Sequence, residues 1–277
     1  MLGHKLVQRL GSSFDVFTTV RDNFDDIEAF GIFNKDKTFC NFDIGDQSRV
    51  KQLIEEVRPE LVVNAVGIIK QLPSANDVIN VLEINSLFPQ KLSLLASKLD
   101  FRFITVSTDC VFSGKTGNYT EDDVPDAYDL YGQSKRWGEV SGQNSLTLRT
   151  SIIGRELRTG HSLVEWFLSN NNGSVKGFSK AIYSGFPTIV FADIIRDVIL
   201  NQPDLSGVFH VSSPAINKYE LLKLIRNAYG LNIEIQKDEE FSIDRSLNSD
   251  KYREITGFSP LDWQQMIKQM SEDPTKY

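Results

Sequence analysis

Tyr131-Gly132-Gln133-Ser134-Lys135 sets a phenol and an ammonium four residues apart. On a helix, positions i and i+4 share one face, with Cβ atoms about 5–6 Å apart. A neighbouring cation favours phenolate, so the spacing predicts a phenol whose pKa falls from about 10 toward the neutral range. Such a group can donate and take back a proton. The pattern alone is common: the chain has 8 tyrosines, and Tyr219 and Lys223 repeat it. Tyr219 lies in an apolar helical period with Leu221, Leu222 and Ile225, which reads as packing. Tyr131 differs because Ser107-Thr108-Asp109 stands upstream, directly after the apolar stretch 103–106. Ligands of open parallel sheets bind beyond the carboxyl ends of strands, so these hydroxyls fall where a substrate should sit. The structural alternative is a polar strand end closed by an Asx turn.

The elements that must carry these residues alternate. Residues 15–20, 61–66, 101–106 and 146–148 read as strands; 48–57, 78–99 and 130–140 read as helices, the first stopped by Pro59. Segment 61–66 is almost continuously apolar, as in strands buried on both faces. Beyond residue 150 the texture becomes irregular, with a loop at 170–173 and a turn at 184–188. The pattern predicts an α/β fold: a doubly wound parallel Rossmann-type sheet over residues 1–150 and a smaller C-terminal α+β lobe over 151–277, with interdigitated segments. Leu2-Gly3-His4-Lys5-Leu6-Val7 already reads as the first turns of a helix. The strand and glycines that should precede Gly3 are not in the sequence. The expectation is that the natural chain is longer or its start was placed too late; the alternative is that another segment fills the gap.

Composition narrows the partners. Thirty basic against 37 acidic side chains give a net charge of −7, which leaves no basic excess for a nucleic-acid surface. Cys40 and Cys110 are too few for a disulfide framework and fit a reducing cytoplasm. His4, His161 and His210 are far apart and match no metal-site spacing. No apolar run approaches the roughly 18 residues that cross a bilayer, so a membrane partner is not expected.

The block Ser107-Thr108-Asp109-Cys110-Val111-Phe112-Ser113-Gly114, followed by Tyr119-Thr120-Glu121-Asp122-Asp123 and Tyr131-Gly132-Gln133-Ser134-Lys135, resembles the extended short-chain dehydrogenase/reductases. Within that family it is similar to the dTDP-4-dehydrorhamnose reductase-like branch. Further similarities are Asn64-Ala65-Val66-Gly67, Ile84-Asn85, Leu148-Arg149-Thr150-Ser151, Gly185-Phe186-Pro187-Thr188 and Gly207-Val208-Phe209-His210-Val211-Ser212, so the resemblance spans nearly the whole chain.

The resemblance implies Tyr131 as general acid toward a sugar C4 oxygen, Lys135 as the residue that lowers its pKa and holds the nicotinamide ribose, and Thr108 as the orienting hydroxyl. It implies a cofactor path along Gly3, Asp43, Ile44, Ala65, Val66 and Gly67, with Asn85 helping to position the active-site lysine. Arg21, after the second strand, suits a 2′-phosphate and so NADP(H) in preference to NAD(H). On the substrate side it implies Ser107, Asp109, Arg149, Gly185, Pro187, Thr188 and Arg245, the last as a forked partner for a diphosphate. His210 reads as a structural histidine. The loop Ile68-Ile69-Lys70-Gln71-Leu72-Pro73 departs from that of the rhamnose-pathway enzyme, which leaves the sugar open. The implied function is reduction, or reduction with epimerisation, of a 4-keto nucleotide sugar by a cytoplasmic homodimer. A regulatory subunit of the same fold is the alternative; a dehydratase ranks last, because Asp109-Cys110 does not supply the matching glutamate.

Overall fold

The computed structural model describes residues 1–277, apart from the side chain of Pro73. In chain order the elements are α1 (Leu2–Leu10), β1 (Thr18–Thr19), β2 (Thr38–Phe39), α2 (Gln47–Val57), β3 (Leu61–Asn64), α3 (Val78–Leu82), α4 (Phe88–Leu99), β4 (Arg102–Thr108), α5 (Leu130–Trp137), β5 (Ser145–Thr150) and β6 (Ile152–Ile153). There follow α6 (Leu163–Ser169), β7 (Ser174–Tyr183), β8 (Phe186–Pro187), α7 (Thr188–Asn201), β9 (Gly207–His210), β10 (Ile216–Asn217), α8 (Lys218–Ala228), β11 (Glu234–Asp244), α9 (Asp250–Thr256) and α10 (Trp263–Ser271).

Strands β3-β4-β5-β9 form a parallel sheet in that order, and alternation along β4 covers both of its faces. Phe103 packs with Val50, Ile54, Leu92 and Ala96. Ile104 packs on the opposite side with Leu146, Leu148, α7 and the apolar stripe Leu2, Leu6 and Leu10 of α1. Arg9 fixes α1 to α7 through two bonds to Asp193, of 2.8 and 2.7 Å. Strands β1 and β2 pair in parallel as a separate ladder. A second sheet, β10-β7-β11, carries α8 and forms the smaller lobe. The segment after residue 150 is therefore not one separate body, because β9 returns to pair with β5.

Several boundaries differ from the expected ones. The strand at 15–20 shrinks to Thr18–Thr19. Strand β3 stops at Asn64, and Leu61, Val62 and Val63 are half-buried, because β3 is the outer strand of its sheet and only β4 pairs with it. The 78–99 helix is interrupted by a π turn at Glu83–Leu87. Pro89, which follows it, has no N–H to give the Asn85 carbonyl, so the α-ladder cannot run straight through. Helix α5 ends at Trp137 instead of 140. Gly138 lies against the freed carbonyl, where an added Cβ would meet Asn85 O at 1.9 Å and Pro89 Cγ at 2.9 Å. Gly138→Ala is thus expected to destabilise the fold by about 1–3 kcal/mol, read from the denaturant midpoint, as overpacking does. Unchanged stability would mean that α5 can move off the π turn.

Candidate active site

Asp129 caps α5, its Oδ1 accepting from the Gly132 N–H at 2.9 Å. This cap sets the helix start so that Tyr131 and Lys135 face the end of β4, against which α5 packs. Lys135 Nζ donates to Val106 O at 2.8 Å. Thr108 Oγ1 donates to Asp109 Oδ1 at 3.1 Å and accepts from the Cys110 N–H at 3.1 Å. Thr108 also lies near the phenol and favours its ionised form.

The electrostatics overturn one expectation. Burial pushes the Tyr131 phenol above its usual range, and Cys110, Asp109 and Asp129 add to the rise, outweighing Thr108. Lys135 is pushed down to about 8, by burial against a smaller upward pull from Glu139. The expected lowering of the phenol by its lysine neighbour does not dominate. Both groups leave bulk water together, and desolvation disfavours the charged form of each. The phenol is consequently a proton donor in the neutral range. Asp109 is likewise raised by burial, opposed by Arg245, Thr108 and Lys218.

Some expected site residues lie elsewhere. Arg149 is buried: Nε and Nη2 each donate to Glu139 at 2.7 Å, and Nη1 meets His210 Nε2 at 3.1 Å. Its donors are engaged inside the core, so it leaves the substrate-side set. Ser107 points to the same side and donates to Glu139 Oε1 at 2.7 Å, since consecutive strand residues face opposite ways. His210 is fully buried, held down to about 4 by burial and by Arg149, and therefore neutral. Gly185, Pro187 and Thr188 are buried in the junction around β8; a Cβ on Gly185 would lie 2.0 Å from Ser151 O. Close packing, not an open surface, accounts for this turn.

Asn85 is also reassigned. It is buried at 1% exposure, accepts from Ile68 N at 2.8 Å, and donates to Ile68 O at 3.0 Å and Ser134 Oγ at 3.2 Å. It clamps the loop after β3 to α5 and makes no bond to Lys135. The Tyr219–Lys223 pair is a lobe contact: Lys223 Nζ lies 5.2 Å from the Tyr219 ring centroid and bonds Glu220.

Lys70, Lys218 and Tyr183 join the site although the spacing did not reveal them, and Arg245, expected on the substrate side, is found beside them. Lys70 Nζ pairs with Asp129 Oδ2 at 2.9 Å and stands 5.4 Å from the Tyr131 ring centroid. Lys218, the first residue of α8, places Nζ 4.4 Å from the Tyr183 ring centroid and acts electrostatically on Asp109 and Cys110. Arg245 donates Nε to Phe112 O at 2.9 Å, and its Nη1 lies 3.8 Å from Cys110 Sγ. Lys70, Lys218 and Tyr183 come from three separate elements, so no local pattern could have grouped them. Lys70, Lys218 and Arg245 give the site a cationic rim.

The residues at the carboxyl ends of β1, β2 and β3 fit a dinucleotide. Arg21, Asp43, Ala65, Val66 and Gly67 are exposed there, with Ile44 half-buried. Val66, just past the end of β3, is an apolar residue left 40% exposed. The α1 amino end has no side-chain cap, and the space around Gly3 is open, which suits a phosphate.

A doubly wound α/β fold with a Tyr–Lys helix packed over a Ser-Thr-Asp strand end defines an NAD(P)-dependent oxidoreductase of the short-chain dehydrogenase/reductase type. More narrowly, the RmlD substrate binding domain family matches residues 1–275, and the chain belongs to that family. It is 26% identical over 256 residues to dTDP-4-dehydrorhamnose reductase of Aggregatibacter actinomycetemcomitans, covering 83% of this chain and 86% of that one. It is 26% identical over 203 residues to methionine adenosyltransferase 2 subunit beta of Xenopus tropicalis, covering 67% of this chain and 59% of that one. In fold it is similar to Bacillus anthracis dTDP-4-dehydrorhamnose reductase solved in complex with NADP, with a TM-score of 0.73, 19% identity and coverage of 92% and 97%. No helix among the described residues is long and apolar enough to cross a membrane.

Proposed function

We propose that this chain is an NADP(H)-dependent reductase, or reductase–epimerase, of a 4-keto nucleotide sugar used for surface-polysaccharide precursors, acting as a cytoplasmic homodimer. The convergence of the Tyr131 phenol, the Thr108 hydroxyl and the Lys135 ammonium beyond the carboxyl end of β4 carries the reading. A nicotinamide cofactor, when bound, would supply the hydride for the carbonyl carbon. Tyr131 donates its proton to the C4 oxygen, and burial keeps that proton in place until needed. Thr108 orients the same oxygen. Lys135 holds the ribose and stabilises the phenolate left behind. Arg21 would hold the 2′-phosphate of such a cofactor, Asp43 and Ile44 its adenine, and Ala65, Val66 and Gly67 its path across the strand ends. Asp109, Arg245 and Lys218 face the substrate, with Arg245 on the diphosphate. Exposed Ile79, Leu87, Leu94 and Trp137, on the 78–99 helices and α5, support pairing of two chains through this face.

Incubation with NADPH and a panel of 4-keto nucleotide sugars tests the reading: at least one should drive loss of the reduced-nicotinamide absorbance. A second reading, a regulatory subunit without turnover, is favoured by the likeness to methionine adenosyltransferase 2 subunit beta. It predicts no oxidation with any sugar and tight capture of a partner enzyme.

The rate should also follow Lys135. Reduction needs the protonated phenol, which is present throughout the neutral range because burial raises it. Lys135 loses its charge as pH rises through about 8. The expected kcat/KM profile is therefore flat on the acid side and falls above about 8. Lys135→Met should be slower and lack that alkaline limb; a limb that survives in this variant assigns it to another group.

A further inference from the structure

Helix α5 needs a cap, and Asp129 supplies it two residues before the phenol. The carboxylate is then fixed where its charge opposes ionisation of Tyr131. Lys70 meets the same carboxylate at 2.9 Å and stands 5.4 Å from the Tyr131 ring centroid. It comes from a different part of the chain, the loop after β3, whose sequence departs from the rhamnose-pathway pattern. That loop is not free to wander: Asn85, at the π turn, holds both the N–H and the carbonyl of Ile68, two residues before Lys70. The same Asn85 bonds Ser134 on α5, so one buried side chain registers the loop against the helix.

We propose that Lys70 is a positioning residue for Tyr131: by pairing with Asp129 it cancels the carboxylate that the helix cap places beside the phenol, and so keeps the phenol able to give up a proton and recover it. The proposal rests on the reductase reading for its purpose but not for its measurement. Other charges also face the phenol. Asp109 and Cys110 approach from the turn after β4, and Lys135 lies on α5 itself. Arg245 acts on Asp109, Cys110 and Asp129, and Lys218 acts on Asp109 and Cys110. Glu83, on the π turn packed against α5, is exposed. Among these, Asp129 is the charge that the fold requires for another reason, the cap, and Lys70 is its direct ion-pair partner. Gly132 N–H and Lys70 together hold Asp129 below the usual carboxylate range although burial works the other way, so it is ionised whenever the enzyme works.

The test installs 3,5-difluorotyrosine at position 131, which brings the phenol into a measurable range, and follows its ionisation by ¹⁹F NMR in the substrate-free protein. Lys70→Met should raise the apparent pKa by on the order of one unit, since an opposite charge is lost nearby. Lys70→Arg should restore it. Asp129→Asn keeps a good capping residue and should shift the value down, while the double variant should lie close to the parent. A loop that merely packs would move the single variants in the same direction or not at all; either result, or a shift in only one of them, overturns the proposal. Turnover is not needed for this titration. A protein that oxidises NADPH with no sugar but gives opposite shifts refutes the reductase reading and leaves the Lys70 assignment standing.

Discussion

Tyr131→Phe should lower the rate of NADPH oxidation by about 10²–10⁴-fold while leaving cofactor affinity and thermal stability near those of the parent. The ring keeps its packing, because the change removes one oxygen and no apolar surface. What is lost is the proton donor. Thr108 cannot replace it, because an aliphatic hydroxyl is a far weaker acid than a phenol. Lys135 is held on the Val106 carbonyl at 2.8 Å and is directed at the strand end. The measurement is steady-state kinetics with the sugar that the panel identifies, together with a fluorescence titration of NADPH. A variant retaining more than a tenth of the activity would move the acid to another group and end the assignment of Tyr131.

Arg149→Met should be the most damaging single change to stability. Arg149 and Glu139 are 7% and 8% exposed and joined by two 2.7 Å bonds. Removing one partner leaves a buried charge with no counter-ion, which costs about 3–5 kcal/mol. His210 Nε2 would lose its Arg149 partner in the same step. Combining the change with Glu139→Gln should recover part of the loss, because the orphaned charge disappears. Urea denaturation of the two single variants and the double variant gives the comparison. A single variant within 1 kcal/mol of the parent would show that water reaches the pair, at odds with its burial.

The contrast between these two residues explains how far the sequence could be read. The strands and helices around 61–150 were legible because period and caps are local: Asp46 and Asp129 each precede a helix, and Arg58 leaves α2 in the left-handed conformation just before Pro59. The alternating fold followed from such local signals, and the Ser107–Lys135 block from its resemblance to the short-chain dehydrogenase/reductases. Direction across the strand was the less legible part. Ser107, Thr108 and Arg149 all stand at strand ends, yet only Thr108 turns toward the phenol; the other two face Glu139, whose position depends on where α5 stops. That stop depends in turn on Gly138 meeting the Asn85 carbonyl, a contact between segments far apart in the chain. The phenol's raised pKa was hidden for a similar reason. Spacing reveals the lysine, but not how much water the assembled site excludes.

The return of β9 to the main sheet limits how this architecture can be diversified. The lobe that overhangs the phenol is threaded through the main parallel sheet, so it cannot be exchanged as a cassette without breaking the ladder between Leu146 and Gly207. On the reductase reading, a new substrate preference would be acquired by single replacements at positions such as Lys218 and Arg245 on the overhanging segments and Lys70 on the loop after β3, while the strands beneath them stay as they are.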